Sequence, residues 1–140
     1  REIISRLTSN YAFVIVDNEA GMEHLSRRTE EEVDHLFIVS DAAPRSLRTI
    51  ARIGELIDEL GGRIHHKHFV LSRVQGSIDD LPAGTKRELE QLPYRPEAAI
   101  PFDQALVDLD LNGEPLLNIS TESPSYKAVE ALLKSAGVFS

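Results

Sequence analysis

The sequence predicts an α/β fold: a parallel sheet flanked by helices on both faces. Three observations carry this. Continuous apolar runs recur at 11–17, 35–40 and 67–72, the pattern of strands buried on both sides. Stretches of crossover length separate them, and one holds a clear amphipathic helix. The first run also ends abruptly in Asp17, with Gly21 four residues on, as when a buried strand delivers a carboxylate to the carboxyl edge of a sheet, where ligands of open α/β folds bind.

Each element follows from its residues. Residues 1–9 read as the end of a helix with Ile3, Ile4 and Leu7 on one face, and 11–17 as a fully buried strand. Residues 22–31 read as a short polar helix or ordered loop. The 35–40 strand leads into a turn, Asp41-Ala42-Ala43-Pro44, whose proline stands near a helix start. Over 45–60, Leu47, Ile50, Ala51, Gly54, Ile57 and Leu60 repeat at helical spacing, with Gly61-Gly62 as the stop. After the strand at 67–72 comes a polar connection, 73–95, with a short helix at 85–91. A brief strand at 97–100 ends at Pro101. A helix then runs from Asp103 toward Leu111, and Asn112-Gly113 marks a turn. In the last helix Ser123 is the N-cap and Pro124 the first residue, Tyr126, Val129, Leu133 and Ala136 line one face, and Gly137 closes it.

Composition narrows the function. The chain has 140 residues, enough for one domain with a sizeable core. Its 23 acidic and 15 Lys or Arg residues give a formal net charge of −8, with no basic tract. Nucleic acid and anionic membranes are therefore poor partners. No apolar run reaches the ~20 residues of a bilayer span. The opening Arg1-Glu2-Ile3-Ile4-Ser5-Arg6 is no signal peptide, and without an initiator Met the chain is expected to begin inside a longer protein. With no cysteine, disulfides and thiolate metal sites within this segment are excluded, in keeping with a cytoplasmic protein.

Five constellations are candidates for chemistry. Asp17, Glu19 and Gly21 suit a magnesium ion and a terminal phosphate: Asp17 holds a metal-bound water and the Gly21 amide faces the anion. The alternative is that Asp17 caps the next helix. The partner of such a site, a glycine-rich loop ending in Gly-Lys-Ser/Thr, is nowhere in the chain, so it reads as half of a nucleotide site. Ile100-Pro101-Phe102-Asp103 can wrap an adenine edge while a ring packs on its face, or be a plain corner with Asp103 as N-cap. Ser72-Arg73, where a strand ends, can read a purine edge or merely enter a loop. In His65-His66-Lys67-His68, His66 and His68 fall on one face and can share a zinc or nickel ion, against a solvated strand entry. His35 stands alone, as does His24, the latter a candidate for a partner surface. The charged run 23–32 is either a solvated face or a switch that responds to the terminal phosphate.

In order, these pieces resemble a known family. Val-Ile-Val-Asp17-x-Glu19-Ala20-Gly21-x-Glu23-His24-Leu25-x-Arg27-x-Thr29 resembles the switch II segment of the MinD and nitrogenase-iron-protein class of P-loop ATPases, and most of all the CooC-type ATPases that assist nickel insertion into carbon monoxide dehydrogenase. Ile100-Pro101-Phe102-Asp103 is similar to that family's Ile-Pro-Tyr-Asp adenine turn, and Gly113-Glu114-Pro115-Leu116 to the Gly-Lys-Pro-Leu after it. The resemblance spans most of the chain but only the carboxyl-terminal part of the family's domain. It implies a P-loop NTPase fold, ATP and magnesium as ligands, a homodimer in the intact protein, and a client metalloenzyme such as carbon monoxide dehydrogenase. It assigns Asp17 to magnesium through water, Glu19, Ala20 and Gly21 to the phosphate side, and Pro101, Phe102 and Asp103 to the adenine. Where the family places asparagine and a basic residue to read the base, this chain has Ser72-Arg73. The family's phosphate loop with its two lysines, its switch I aspartate and its Cys-x-Cys pair all belong upstream. The fragment alone is therefore expected to be inactive. A rival expectation is a regulatory α/β module that binds a protein and no nucleotide.

Overall fold

The structure, a computed structural model, describes residues 2–18, 32–59 and 63–139. Glu19, Ala20, Gly21, His24 and the proposed switch at 23–32 lie outside the described residues, apart from Glu32 itself.

Among the described residues three parallel strands form one sheet in the order β1-β2-β3: β1 is Val33–Asp41, β2 is Ile64–Val74 and β3 is Ala98–Pro101. β1 and β2 run in register from Val33 opposite Ile64 to Asp41 opposite Ser72. The strands run parallel, so their carboxyl ends, which carry Asp41, Ser72-Arg73 and Pro101, collect at one edge. Helices flank the sheet on both faces, following α1 (Glu2–Asn10) in the order α2 (Pro44–Glu59), α3 (Ala83–Gln91), α4 (Gln104–Leu111) and α5 (Pro124–Ser135).

The core follows the predicted helical stripe. Leu47, Ile50 and Ile57 of α2 are buried against Phe69 and Leu71 of β2, with Ile38, Val74, Leu81 and Leu92 closing the cluster. Gly54 lies on that stripe because Tyr94 occupies the space: a Cβ there would meet the Tyr94 hydroxyl at 1.2 Å. By strand alternation Val70 and His68 point to the opposite face of β2, where both are buried. Helix ends match their residues. The Ser123 hydroxyl accepts from the Tyr126 amide with Pro124 behind it. Gly113 and Gly137 take φ of 64° and 77°, and the next amides reach back to Leu109 and Leu133.

Two expectations need correction. Residues 11–17 are not a buried strand: the segment has no regular structure, and Tyr11, Phe13 and Ile15 are exposed, Ile15 at 93%. A strand exists by pairing, and among the described residues nothing pairs with this run, because β1 bonds only to β2. In α5 the buried positions are Ser125 and Leu132, whereas Tyr126 and Val129 are more than a third exposed. Hydrogen bonds from Ser125 to Asp103 turn the helix to that face.

Candidate functional site at the carboxyl edge of the sheet

The carboxyl ends of the three strands bring together Asp41, Ser72, Arg73, Pro101, Phe102 and Asp103. Register does this: Asp41 stands opposite Ser72, and Val74 opposite Pro101. Between Leu71 and Val74 the pairing with β3 shifts, and the backbone of Arg73 takes a left-handed φ of 53°. Ladder bonding then resumes, with the Phe102 amide donating to the Val74 carbonyl at 2.9 Å. For a side chain larger than glycine that conformation costs roughly 1 kcal/mol, and such strain gathers at functional sites. It projects the Arg73 guanidinium from the edge, 74% exposed, with Nη2 3.5 Å from Asp41 Oδ2.

Asp41 is set by its own turn. The Ser46 hydroxyl and then the Ala43 amide, 3.0 Å from Oδ1, hold its carboxyl below the usual carboxylate range, and the Arg73 charge adds to this. Sequence reasoning took 41–44 only as a turn and missed this partner of Arg73. The signal was available, since Asp41 closes the second apolar run as Asp17 closes the first.

Asp103 has a structural occupation. Oδ1 accepts from the Ala105 amide at 3.0 Å and so caps α4. Oδ2 accepts from the Ser123 hydroxyl, from the Ser125 hydroxyl at 2.8 Å and from the Ser125 amide at 3.1 Å. The Ser123 hydroxyl foremost, then the two Ser125 bonds, bring its carboxyl down to about 2. Both oxygens are engaged, so Asp103 fixes the β3–α4 corner to the start of α5, and the exposed part of the corner is the ring of Phe102, at 40%. The Ser123-Ser125 tie escaped sequence reading because the partners lie about twenty residues apart.

The edge therefore offers an aromatic face (Phe102), the backbone of Pro101, a half-buried hydroxyl (Ser72) and a held cation (Arg73). This set fits a flat heteroaromatic base. Asp17 is exposed in the irregular segment after α1.

The histidines form a second group at the other end of the strands. His66 and His68 share a face as expected, but the nitrogen contact of His68 is with His35 of β1, Nε2 to Nδ1 at 3.0 Å. His65 points elsewhere, toward Glu32 at 3.6 Å. Among the described residues no three His, Asp or Glu side chains converge on one metal position. None of the described helices is long and apolar enough to cross a membrane.

No protein-family model matches the chain. An uncharacterized ATP-binding protein of Methanocaldococcus jannaschii is 35% identical over 132 residues, spanning 94% of this chain and 51% of that protein. The carbon monoxide dehydrogenase accessory protein CooC of Rhodospirillum rubrum is 47% identical over 135 residues, 94% of this chain and 48% of that protein. The cell division ATPase MinD of Pyrococcus furiosus superposes with a TM-score of 0.63 at 26% identity, covering 94% of this chain and 56% of MinD. The chain spans about half the length of the curated relatives it matches. The chain is thus similar to CooC over most of its own length, and its fold is similar to that of MinD.

Proposed function

We propose that this chain is the carboxyl-terminal portion, residues 1–140, of a CooC/MinD-type ATPase domain. The complete protein binds Mg-ATP, hydrolyses it, and works as a cytoplasmic homodimeric switch in nickel insertion into a client metalloenzyme such as carbon monoxide dehydrogenase. The observation that carries this reading is the meeting of Ser72-Arg73 and Pro101-Phe102 at one edge of a parallel sheet, the place where open α/β sheets take ligands.

The base lies on the Phe102 ring, an apolar face that the Asp103 clasp holds rigid. The Ser72 hydroxyl takes the place of the family's asparagine at the base edge. Arg73, steadied by Asp41, supplies positive charge beside it. Asp17 holds magnesium through a water, and Glu19, Ala20 and the Gly21 amide serve the phosphate side. Mg-ATP supplies the phosphoanhydride bond whose cleavage drives the switch. The phosphate-neutralising lysines are not among these 140 residues, so the chain alone is inactive.

Titrating the full-length protein with a fluorescent ATP analogue tests this. Phe102→Ala weakens binding about tenfold, the scale of one lost stacking contact. Asp17→Ala removes magnesium-dependent turnover while the fold persists. Unchanged affinity and turnover in both variants overturn the reading. Absence of any nucleotide binding by the full-length protein instead favours a protein-binding module.

A further inference from the structure

Helix α4 buries little for its composition. Five of its eight residues are apolar, yet none is buried. The chain then folds back on the helix end: the Gly113 amide donates to the Asp110 carbonyl at 3.1 Å, and the Glu114 amide to the Leu109 carbonyl at 2.8 Å. A single 3-10 turn over Leu116–Asn118 follows and packs beside α4. Leu111, Leu116 and Leu117 are 78%, 65% and 95% exposed. One exposed leucine needs no explanation, but three on one folded-back segment make a patch.

The charge of this segment is as one-sided as its exposure. Asp108, Asp110 and Glu114 stand exposed among the leucines. No Lys or Arg occurs from residue 96 to residue 126. Acids elsewhere are matched, Glu88 with Arg48, Asp58 with Lys67 and Glu130 with Lys134. Among the described residues no ion pair includes Asp108, Asp110 or Glu114. The side-chain donors that reach Asp108 and Glu114 are the neutral amides of Gln104 and Asn118. The patch is also held in place, because the Asp103 clasp fixes the start of α4.

We propose that α4 and the turn after it form a docking surface for a basic amphipathic segment of another protein. The apolar side chains of that segment lie on Leu111, Leu116 and Leu117, and its lysines or arginines face Asp108, Asp110 and Glu114. Charge complementarity selects this occupant. A second copy meeting the surface across a two-fold axis sets acid against acid, which costs affinity. Anionic lipid and nucleic acid are repelled by the same three carboxylates. A segment with one apolar face and flanking cations satisfies both halves of the surface: burial of the leucines supplies affinity, and the charges set encounter rate and choice of partner. Helix α4 is about 12 Å long, a length that two turns of a partner helix match. None of these six residues is assigned to the nucleotide edge, so the surface stands or falls independently of the proposed ATPase.

Fluorescence anisotropy with a labelled peptide of leucine and lysine at amphipathic helical spacing, titrated with the full-length protein without nucleotide, tests the proposal. Saturable binding is expected, weakened at least tenfold by Leu117→Ser and to a lesser degree by Asp110→Asn and by Glu114→Gln. Higher ionic strength weakens it as well. Glu55→Gln, which removes an exposed acid from α2, leaves it unchanged and so separates docking from attraction to the overall negative charge. A peptide with glutamate in place of lysine does not bind. Asp110, Glu114 and Leu117 are exposed, so their variants fold. No saturable binding, affinity indifferent to Leu117→Ser, or an equal loss in Glu55→Gln overturns the proposal. So does a dimer in sedimentation that Leu117→Ser abolishes, because the patch then belongs to a second copy of the chain.

Discussion

Asp103 is a carboxylate whose charge is used entirely within the fold. Its folded pKa of about 2 lies below the ordinary value of 3.8. The sign follows: a depressed carboxyl contributes stability that is fully present above the unfolded value and lost as pH falls through the folded one. Thermal melts should therefore show an acid limb between about pH 4 and pH 2, flattened in Asp103→Asn. An equal acid limb in the variant would assign it to other carboxyls. Arg73 is the opposite kind of residue, one whose conformation works against stability. Arg73→Gly removes the left-handed strain at φ 53° and should raise stability by roughly 1 kcal/mol. It should lower nucleotide affinity in the full-length protein, because the cation beside Asp41 is gone. A glycine variant that is no more stable would show that the bulge carries no strain, and one that binds nucleotide as tightly would remove Arg73 from the site.

The α2 helix shows how elements lock together. Gly54 and Tyr94 fill one space, and the Tyr94 hydroxyl is buried without a partner among the described residues. Burial, with Asp58 and Glu55 nearby, pushes its pKa up. Gly54→Ala should cost about 1–3 kcal/mol by overpacking, while Tyr94→Phe should be neutral or stabilising by about 1 kcal/mol. Denaturant midpoints distinguish these outcomes, and a stable Gly54→Ala would mean that Tyr94 moves aside freely. Thr85, buried, ties α3 to the turn before α2 by donating to the Ala42 carbonyl at 2.8 Å. Thr85→Val keeps the shape and strands that carbonyl, at a cost of about 1–3 kcal/mol in the same assay. Elements such as α2 were legible in the sequence because their causes are local: the Leu47–Ile57 stripe, Ser123-Pro124, Gly113 and Gly137 each act within a turn or two. The carboxyl edge was legible in Ser72-Arg73 and Phe102, which end apolar runs. Asp41 with Arg73, Ser125 with Asp103, and His35 with His68 were not, because register and helix rotation make those pairs and no short spacing encodes them.

At the scale of the molecule, the 11–17 run is where local pattern and fold disagree. Its residues have the character of a buried strand, yet Tyr11, Phe13 and Ile15 are exposed. The sheet order leaves the outer edge of β1 without a partner among the described residues, and Val39 on that strand is 55% exposed. An unpaired apolar run and an unpaired sheet edge in a chain half as long as its relatives are complementary deficits, each of which further strands would satisfy. Hydrogen exchange measures this directly. In the 140-residue chain the amides of 12–16 should exchange at nearly the unprotected rate, since no backbone bond from the described residues holds them. In a protein that also carries the relatives' other half, the same amides and the outer edge of β1 should be slowed at least about a hundredfold, as core strands are. The burial of Ile15 and the pairing of β1 must then appear together, because one added layer of sheet produces both. If the longer protein leaves 12–16 as fast as before, the run is a surface segment. Asp17 would then have no strand to carry it to the carboxyl edge, and the magnesium role proposed for it would fail on geometry alone.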